Sequence, residues 1–404
     1  MACCWFWSAL VCTSISRRPW RRRGINSSHP PGLRVYPVAD RESHRQFCDL
    51  PYHLYQADPC WVPPLRAEER GRWSPAHNAS LRRRWCRRFL ARRGDVVVGR
   101  VAAIIDEEFA RRWSPGAGFF GFFECAGDGE AARALLDAAE DALRREGRQH
   151  LLGPVNLSTH DEVGLLVEGH DSRPMLLSPY NPPCYERFVL DSGFTPLCDY
   201  HAYDWSPDRP HAPSVDRLLR RLAGSASGLV LRPSQPRRWD EETRLLFELY
   251  NASFADTWGF VPLTWEEFAE RAAAFRPFYR PELVMFAELH GRALGFALVL
   301  PDVNEALARL GGRLWPFGWL RLLLGLRRVR AARFLLLGVR PDATGAGIAP
   351  LLAHAVAEAA RRLGIRRAEL SLVHGDNRRV RHVIEAFGGK RCKTYRLYEK
   401  AIAP

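Results

Sequence analysis

Leu335-Leu336-Leu337-Gly338-Val339-Arg340-Pro341-Asp342-Ala343-Thr344-Gly345-Ala346-Gly347-Ile348-Ala349 is the stretch on which the reading of this chain turns. An apolar run ends at Val339, a turn opens at Pro341, and two glycines stand where the next helix begins. A helix start leaves backbone N–H groups unpaired at the positive end of the helix dipole, so an anion is stabilised there. Glycine lets a diphosphate approach the backbone closely. A plain tight connection would look the same, and one Gly-rich turn is a weak signal by itself. The residues that follow add to it. A helix runs from Ile348 to Leu363 with Ile348, Leu351, Leu352, Ala355, Val356, Ala359 and Leu363 on one face, and Gly364 stops it. A strand from Arg366 to Val373 comes next, then Asp376-Asn377 caps a helix to Phe387. Gly388-Gly389 ends that helix, and a last strand reads Cys392 to Tyr398.

This strand–loop–helix–strand–helix–strand series resembles the acyl-CoA-binding half of the GNAT acyltransferase superfamily. The resemblance implies that Gly345, Ala346, Gly347, Ile348 and Ala349 hold the CoA pyrophosphate and that Leu337, Gly338 and Val339 pair with the pantetheine arm. It also counts the helix-capping Asn377 among the donor contacts. The chain departs from the family twice. Where the family sets basic or Gln side chains around the turn, the residues are Asp342, Ala343, Thr344 and Ala346, which leaves the backbone alone to cradle the anion. The tyrosine that the family often places after the capping asparagine, to protonate the leaving thiolate, is Ile384.

The chain also repeats itself. Ala91 to Gly99 and Ala287 to Gly295 share the spacing of an Ala and a closing Gly in a strand–turn–strand context. Gly193, Tyr200 and Tyr203 return as Gly388, Tyr395 and Tyr398. Trp61-Val62-Pro63-Pro64-Leu65 is echoed by Trp258-Gly259-Phe260-Val261-Pro262-Leu263. Three echoes in one order and at nearly one offset indicate duplication. We expect an α/β protein of two tandem GNAT-like domains, each a twisted mixed central sheet flanked by helices, which suits 404 residues. The expected parts are an N-terminal tail (1–32), a degenerate first domain (33–208), a linker (209–227) and a second domain (228–404) with an amphipathic insertion at 301–330.

The copies differ where chemistry would lie. In place of the cradle the first reads Glu124-Cys125-Ala126-Gly127-Asp128-Gly129, whose carboxylates are poor neighbours for a diphosphate. We therefore expect acetyl-CoA or a longer acyl-CoA on the second copy, with the first shaping the acceptor site. Gly153 to Gly164, Ser178 to Pro183 and Trp258 to Pro262 together resemble a poorly characterised bacterial family of tandem GNAT-like proteins, from about Val35 to the C-terminus. Some of its members are tied to N-acylation of long-chain lipid amines. Transfer to an amine needs a base, since the amine is mostly protonated near neutral pH. Asp161 or Glu162, then His160, are the candidates, on the argument that an apolar cleft raises a carboxyl pKa. Glu162 could equally cap a turn. Tyr395 and Tyr398 are candidates to replace the acid missing at Ile384, because the last strand is expected beside the cradle strand; their echoes Tyr200 and Tyr203 suit a structural pair as well. Asn156, His160, Tyr180, Asn181 and Trp258 offer contacts to an acceptor, although a loop so rich in proline is also a rigid corner. Neither a nucleophile elbow nor a Cys with a placed His is present, so direct attack is expected, with backbone N–H groups near Gly338 polarising the carbonyl.

Composition sets outer limits. At 47% hydrophobic and 26% charged, the chain can bury two sizeable cores. The net charge of +14 is nearly all arginine, with lysine only at Lys390, Lys393 and Lys400. No nucleic-acid module accompanies it, so acidic CoA and anionic headgroups are the expected partners and nucleic acid is not. The ten cysteines lack metal-ligand spacing, which fits reduced thiols and no metal. No apolar run is long enough to span a bilayer. In the tail the apolar part precedes the basic cluster, the wrong order for a secretory signal, which leaves a disordered tail, a mis-called start or a weak membrane-touching arm. In the insertion, Trp315, Trp319, Leu322, Leu323 and Leu326 recur at helical spacing beside Arg321, Arg327, Arg328 and Arg330. Such a segment suits peripheral contact with an anionic inner membrane or a lid on the groove between the domains. The expected activity is acyl-CoA-dependent N-acyl transfer, in the cytoplasm or at the membrane surface, to a small-molecule or lipid amine. O-acyl transfer, acetylation of a small metabolite and a non-catalytic acyl-CoA sensor are the competing readings.

Overall fold

The computed structural model describes residues 32–225 and 228–403, so the expectations for the tail fall outside the described residues. The first copy runs β1 (Leu33–Pro37), α1 (Arg41–Leu54), α2 (Arg66–Gly71), α3 (Ala79–Arg82), β2 (Trp85–Arg93) and β3 (Val96–Ile105). It continues through α4 (Glu107–Arg112), β4 (Ala117–Cys125), α5 (Gly129–Arg145), β5 (His150–Gly153), β6 (Leu165–Glu168), α6 (Cys184–Asp191) and β7 (Thr195–Trp205). The segment expected as a linker holds α7 (Pro213–Ser225). The second copy follows with β8 (Leu229–Pro233), α8 (Trp239–Phe254), α9 (Trp265–Phe275), β9 (Val284–Leu289) and β10 (Arg292–Pro301). It ends with α10 (Asn304–Leu307), α11 (Gly318–Leu326), β11 (Ala331–Val339), α12 (Ile348–Arg362), β12 (Arg367–His374), α13 (Arg378–Ala386) and β13 (Lys390–Ala401).

The echoes seen in the sequence have structural meaning. Ala91 faces Gly99 across the β2–β3 hairpin, and Ala287 faces Gly295 across β9–β10. Each copy buries one helix on one face of its sheet. On α12 the buried residues Ile348, Leu352, Val356 and Ala359 follow the helical period and pack on β9–β11, and α5 does the same on β2–β4 with Ala131, Leu135, Ala139 and Leu143.

One expectation is corrected by the sheet order, which reads β1-β2-β3-β4-β5-β13-β7-β12-β11-β10-β9-β8, with β6 also on β13. The last strand does not neighbour the cradle strand. It lies antiparallel to β5 of the first copy, while β7 lies antiparallel to β12 of the second. The two copies have exchanged their last strands. At the centre β7 and β13 run antiparallel, with Tyr200 opposite its own echo Tyr395. Each copy's fifth strand needs a neighbour, and two similar strands meeting at a near-dyad satisfy both while removing two sheet edges.

The parallel strands of each copy pair only at one end. β11 and β12 pair from Ala331↔Arg367 to Phe334↔Leu370 and then part. β4 and β5 pair from Ala117↔His150 to Phe119↔Leu152 and part likewise. In the insertion α10 packs inward and α11 turns outward with no buried residue. Trp315 is 84% exposed, Trp319 49% and Leu323 54%. No helix among the described residues is long and apolar enough to cross a membrane.

Candidate active site

Beyond Phe334 the strand β11 keeps β10 on one side and loses β12 on the other. Arg340 N–H donates to Leu294 O at 2.8 Å, so alternation turns the amides of Leu337 and Val339 toward the open side. Gly338 sits under α8: an added Cβ would lie 2.5 Å from the Phe296 ring and 2.9 Å from Ser253 Cβ. The buried Ser253 hydroxyl has no hydrogen-bond partner among the described residues. At the turn, Gly345 (φ +94°) and Gly347 (φ +74°) occupy the left-handed region that favours glycine, and open space surrounds Gly345. Gly347 is the N-cap of α12 and carries Leu222 of α7 against it. Asp342 pairs with Arg292 at 2.6 Å and Arg340 at 3.4 Å, and the Arg292 hydrogen bond leads in holding its carboxyl below the usual range. The turn thus offers backbone amides with its one carboxylate already neutralised. Asn377 caps α13, its Oδ1 accepting from Val380 N–H at 3.2 Å.

On the face of β11 away from α12, helices α8 and α9 close a cavity of about 160 Å³ over β9–β11. Its lining is mostly apolar: Leu246, Leu263, Phe268, Phe275, Leu298, Leu335 and Leu336 among others. Leu335 and Leu336 belong to the part of β11 where β12 has departed, so this cavity adjoins the open edge.

The first copy's opening is filled by its own loop. Asn156 Oδ1 accepts from Phe122 N–H at 2.6 Å, and a Cβ on Gly121 would lie 2.1 Å from Val155 O. The Asn156 amide donates to Glu162 at 2.6 Å, with Arg72 3.7 Å from the same carboxylate. His160 is clamped to the second copy: Nε2–H donates to Val261 O at 2.6 Å and Nδ1 accepts the Tyr250 hydroxyl at 2.7 Å. Burial, with Arg271 adding, lowers its pKa to about 4. The expectation of a raised carboxyl pKa fails at Asp161. Burial pushes it up, but Arg271 of α9, at 2.7 and 3.2 Å, and the Ser158 hydroxyl outweigh burial and hold it below the usual range.

The remaining sequence candidates are spread out. Asn181 spends its amide on Leu166 N–H (2.8 Å), Leu166 O (3.1 Å) and Pro182 O (3.0 Å), as a rigid corner does. Tyr180 donates to Asp58 at 2.8 Å. Trp258 packs between Phe109 and His374, at the far end of β12. Tyr398 lies in the first copy's core and donates to Glu186 at 2.9 Å. Tyr395 is fully buried against Leu166 and Ala202, with its hydroxyl unpartnered among the described residues. Ile384 is a core residue packed on Tyr203 and Val373. Strand exchange puts Tyr200 and Tyr203 beside β12, and Tyr395 and Tyr398 on β13 are separated by β7 and β12 from the cradle strand β11, beside which they are expected.

Sequence reasoning missed Ser253 and a buried ionic group at the last paired rungs of β11 and β12. Lys393 and Glu369, both 0% exposed, stand 3.3 Å apart, and the Ser371 hydroxyl donates to Glu369 at 3.0 Å. Arg333, opposite Glu369 in register, donates to Leu176 O of the first copy. The signal was there as charges inside otherwise apolar strands, one of them a rare lysine.

Residues 243–388, from α8 to the end of α13, match the family model described as Acetyltransferase (GNAT) family. The chain is 37% identical over 380 residues to the bacterial ceramide synthase of Caulobacter vibrioides (strain NA1000 / CB15N), covering 92% of this chain and 98% of that protein. It is 32% identical over 376 residues to protein YghO of Escherichia coli (strain K12), covering 91% and 95%. In fold it is similar to a tandem GNAT protein from the clavulanic acid biosynthesis pathway, with a TM-score of 0.56 at 16% identity over 92% of this chain and 99% of that one. The parted parallel strands, the glycine turn on the second copy alone and these full-length relatives lead to one conclusion: the chain is an N-acyltransferase belonging to the GNAT acyltransferases, in their tandem-domain form.

Proposed function

We propose that the protein transfers a fatty acyl group from acyl-CoA to the amine of a long-chain lipid. The observation that carries this reading is the apolar cavity against Leu335 and Leu336, at the edge of β11 that no strand covers. Both an acyl chain and a lipid tail gain about 0.8 kcal/mol for each CH2 they remove from water, so such a cavity selects long over short chains. The relative named a bacterial ceramide synthase supports a lipid amine over a small metabolite.

The residues present fit a CoA donor. Among the described residues no strand pairs with Leu337 and Val339 on their open side, which leaves their amides for the pantetheine arm. The Gly345–Ala349 turn, apart from the Ala346 amide that donates to Ala343 O, has amides for the diphosphate, and the Ser253 hydroxyl beside Gly338 has no partner among the described residues. Acyl-CoA supplies the thioester carbonyl and the thiol leaving group. Asp161 is tied to Arg271 and serves to hold the loop on the second copy. That leaves Glu162, which lines a polar cavity of the first copy, as the carboxylate of the pair able to meet an amine. In the insertion, six arginines and no carboxylate lie between Ala306 and Arg330, around the exposed aromatics of α11, which supports docking on an anionic membrane where lipid amines reside.

The test is donor binding and turnover with acetyl-CoA and hexadecanoyl-CoA, using Gly345→Glu as control. A thermal shift with the long donor, lost in Gly345→Glu, and thiol release with a long-chain amine are expected. Preference for acetyl-CoA and a small polar amine would overturn the lipid reading. Binding without thiol release would make the protein a sensor.

A further inference from the structure

The buried charges at the last rungs of β11 and β12 have no counterpart in the first copy. There β4 and β5 part after the rung Phe119↔Leu152, whose side chains lie on the face away from α5. Arg333↔Glu369 holds the comparable place in the second copy, one rung before β12 departs and on the face away from α12. The fold does not need charge at this rung. Arg333, Glu369 and Lys393 are all buried, and a buried ionic group is often no more stabilising than apolar residues of like volume. The charges stand only in the copy that carries the glycine turn. Departures from local rules of this sort cluster where function requires them.

What they touch is a segment of the first copy, residues 173–178. Lys393 Nζ donates to Arg173 O at 3.2 Å, the Asn304 amide to Pro174 O at 2.9 Å, and Arg333 to Leu176 O. Asp302 accepts from Leu176 N–H at 2.9 Å, and the Ser178 hydroxyl lies 3.5 Å from Glu369. Arg333 also donates to Ser371 O at 3.4 Å, on the first residue of β12 beyond the last rung, so its guanidinium stands at the base of the opening. Between these anchors Leu177 holds φ at +61°, a conformation that a leucine rarely adopts and that persists only where its surroundings impose it. Leu177 lines both the apolar cavity beside β11 and the polar cavity of the first copy that Glu162 lines.

We propose that Arg333, Glu369 and Lys393 are positioning residues for acyl transfer: they fix residues 173–178 of the first copy over the opening of the second, with Leu177 as the wall that sets how Glu162 stands to the edge of β11. They act through Leu177 and touch neither substrate. A displacement of about 1 Å at a reacting centre costs on the order of a hundredfold in rate, so a rigidly held wall has a large effect on turnover. The inference rests on the N-acyltransferase reading, and it gives the first copy a part in the chemistry of the second.

The experiment is steady-state transfer from hexadecanoyl-CoA to octadecylamine by the full chain, with donor affinity measured in parallel by calorimetry. Wild type is compared with Leu177→Gly, Arg333→Met, Arg333→Lys and the triple variant Arg333→Phe/Glu369→Leu/Lys393→Met, which gives the second copy the apolar rung of the first. Glycine takes the φ of Leu177 without strain, and Arg333→Met leaves Glu369 and Lys393 as a balanced pair, so both variants are expected to fold. A fall in kcat of tenfold or more is expected in Leu177→Gly, Arg333→Met and the triple variant, with donor Kd within twofold of wild type. Arg333→Lys keeps a donor for Leu176 O and is expected to lose less. Wild-type kcat in Leu177→Gly, in Arg333→Met or in a folded triple variant would overturn the inference and leave the N-acyltransferase reading intact. An equal loss of donor affinity would mark general damage and overturn it as well. If the triple variant does not fold, the other three decide. If wild type does not acylate octadecylamine, the function reading fails, and amide hydrogen exchange decides the positioning by itself. Exchange at Leu176 and Ser178 that is tenfold or more faster in Arg333→Met supports it, and unchanged exchange overturns it.

Discussion

His160 and Asp161 are neighbours in sequence, and both have pKa values below their ordinary range for different reasons. Burial and Arg271 lower His160 from 6.5 to about 4, so the folded state keeps it neutral while the unfolded chain takes up a proton between those values. The contribution is complete above pH 6.5 and is lost as pH falls toward 4, at about 1.4 kcal/mol per pH unit. Asp161 acts in the same direction: Arg271 depresses its folded pKa, so its stabilisation is present above the unfolded value and is lost as pH falls through the folded one. Urea denaturation at pH 7 and pH 5 is expected to give a stability difference that shrinks by more than 1 kcal/mol in His160→Gln. An equal pH dependence in wild type and variant would show that His160 titrates normally. The sequence made the polar run from His160 to Glu162 conspicuous, but its partners Tyr250, Val261 and Arg271 belong to the other copy. Residue type alone does not say whether a carboxylate meets a guanidinium or an apolar wall, and that decides the sign of its pKa shift.

Among the elements, α12 and its glycine turn were legible because a helical period, a Gly stop and positive-φ glycines are local signals. The destination of β13 was not, since period-two patterning marks a strand and says nothing of which sheet edge receives it. The insertion stood between these cases. Its helical spacing of apolar residues predicts α11, yet amphipathicity tells only that one face needs cover, and that face lies open to solvent with arginines beside it. Trp319→Arg is expected to reduce cosedimentation with vesicles containing one third anionic lipid by fivefold or more, with no change in the thermal shift induced by hexadecanoyl-CoA. Undiminished vesicle binding would mean that α11 is not the docking element.

At the scale of the whole molecule, strand exchange joins the copies into one continuous sheet, tied further by Asp161–Arg271, His160–Val261 and Arg84–Glu267 at 2.8 Å. Cooperative unfolding in a single transition is the expected outcome, with tryptophan fluorescence and far-UV circular dichroism coinciding. Two separated transitions would show that the copies retain independent stability. Duplication was legible from three echoes, and two self-contained domains were the natural expectation. The exchange was hidden because each copy carries a complete set of strands and the interchange leaves no gap in either.

The rung Tyr398↔Gly153 brings together residues that lie far apart in the chain. Lys390–Ala401 is synthesised long after Gly153, so the half that emerges first cannot close its sheet until that strand has been made. Throughout that interval β5 waits with an unsatisfied edge and Leu151 and Leu152 uncovered. Order of synthesis and order of assembly are opposed in this protein, and the first copy depends on whatever shields a nascent chain until β13 has been made.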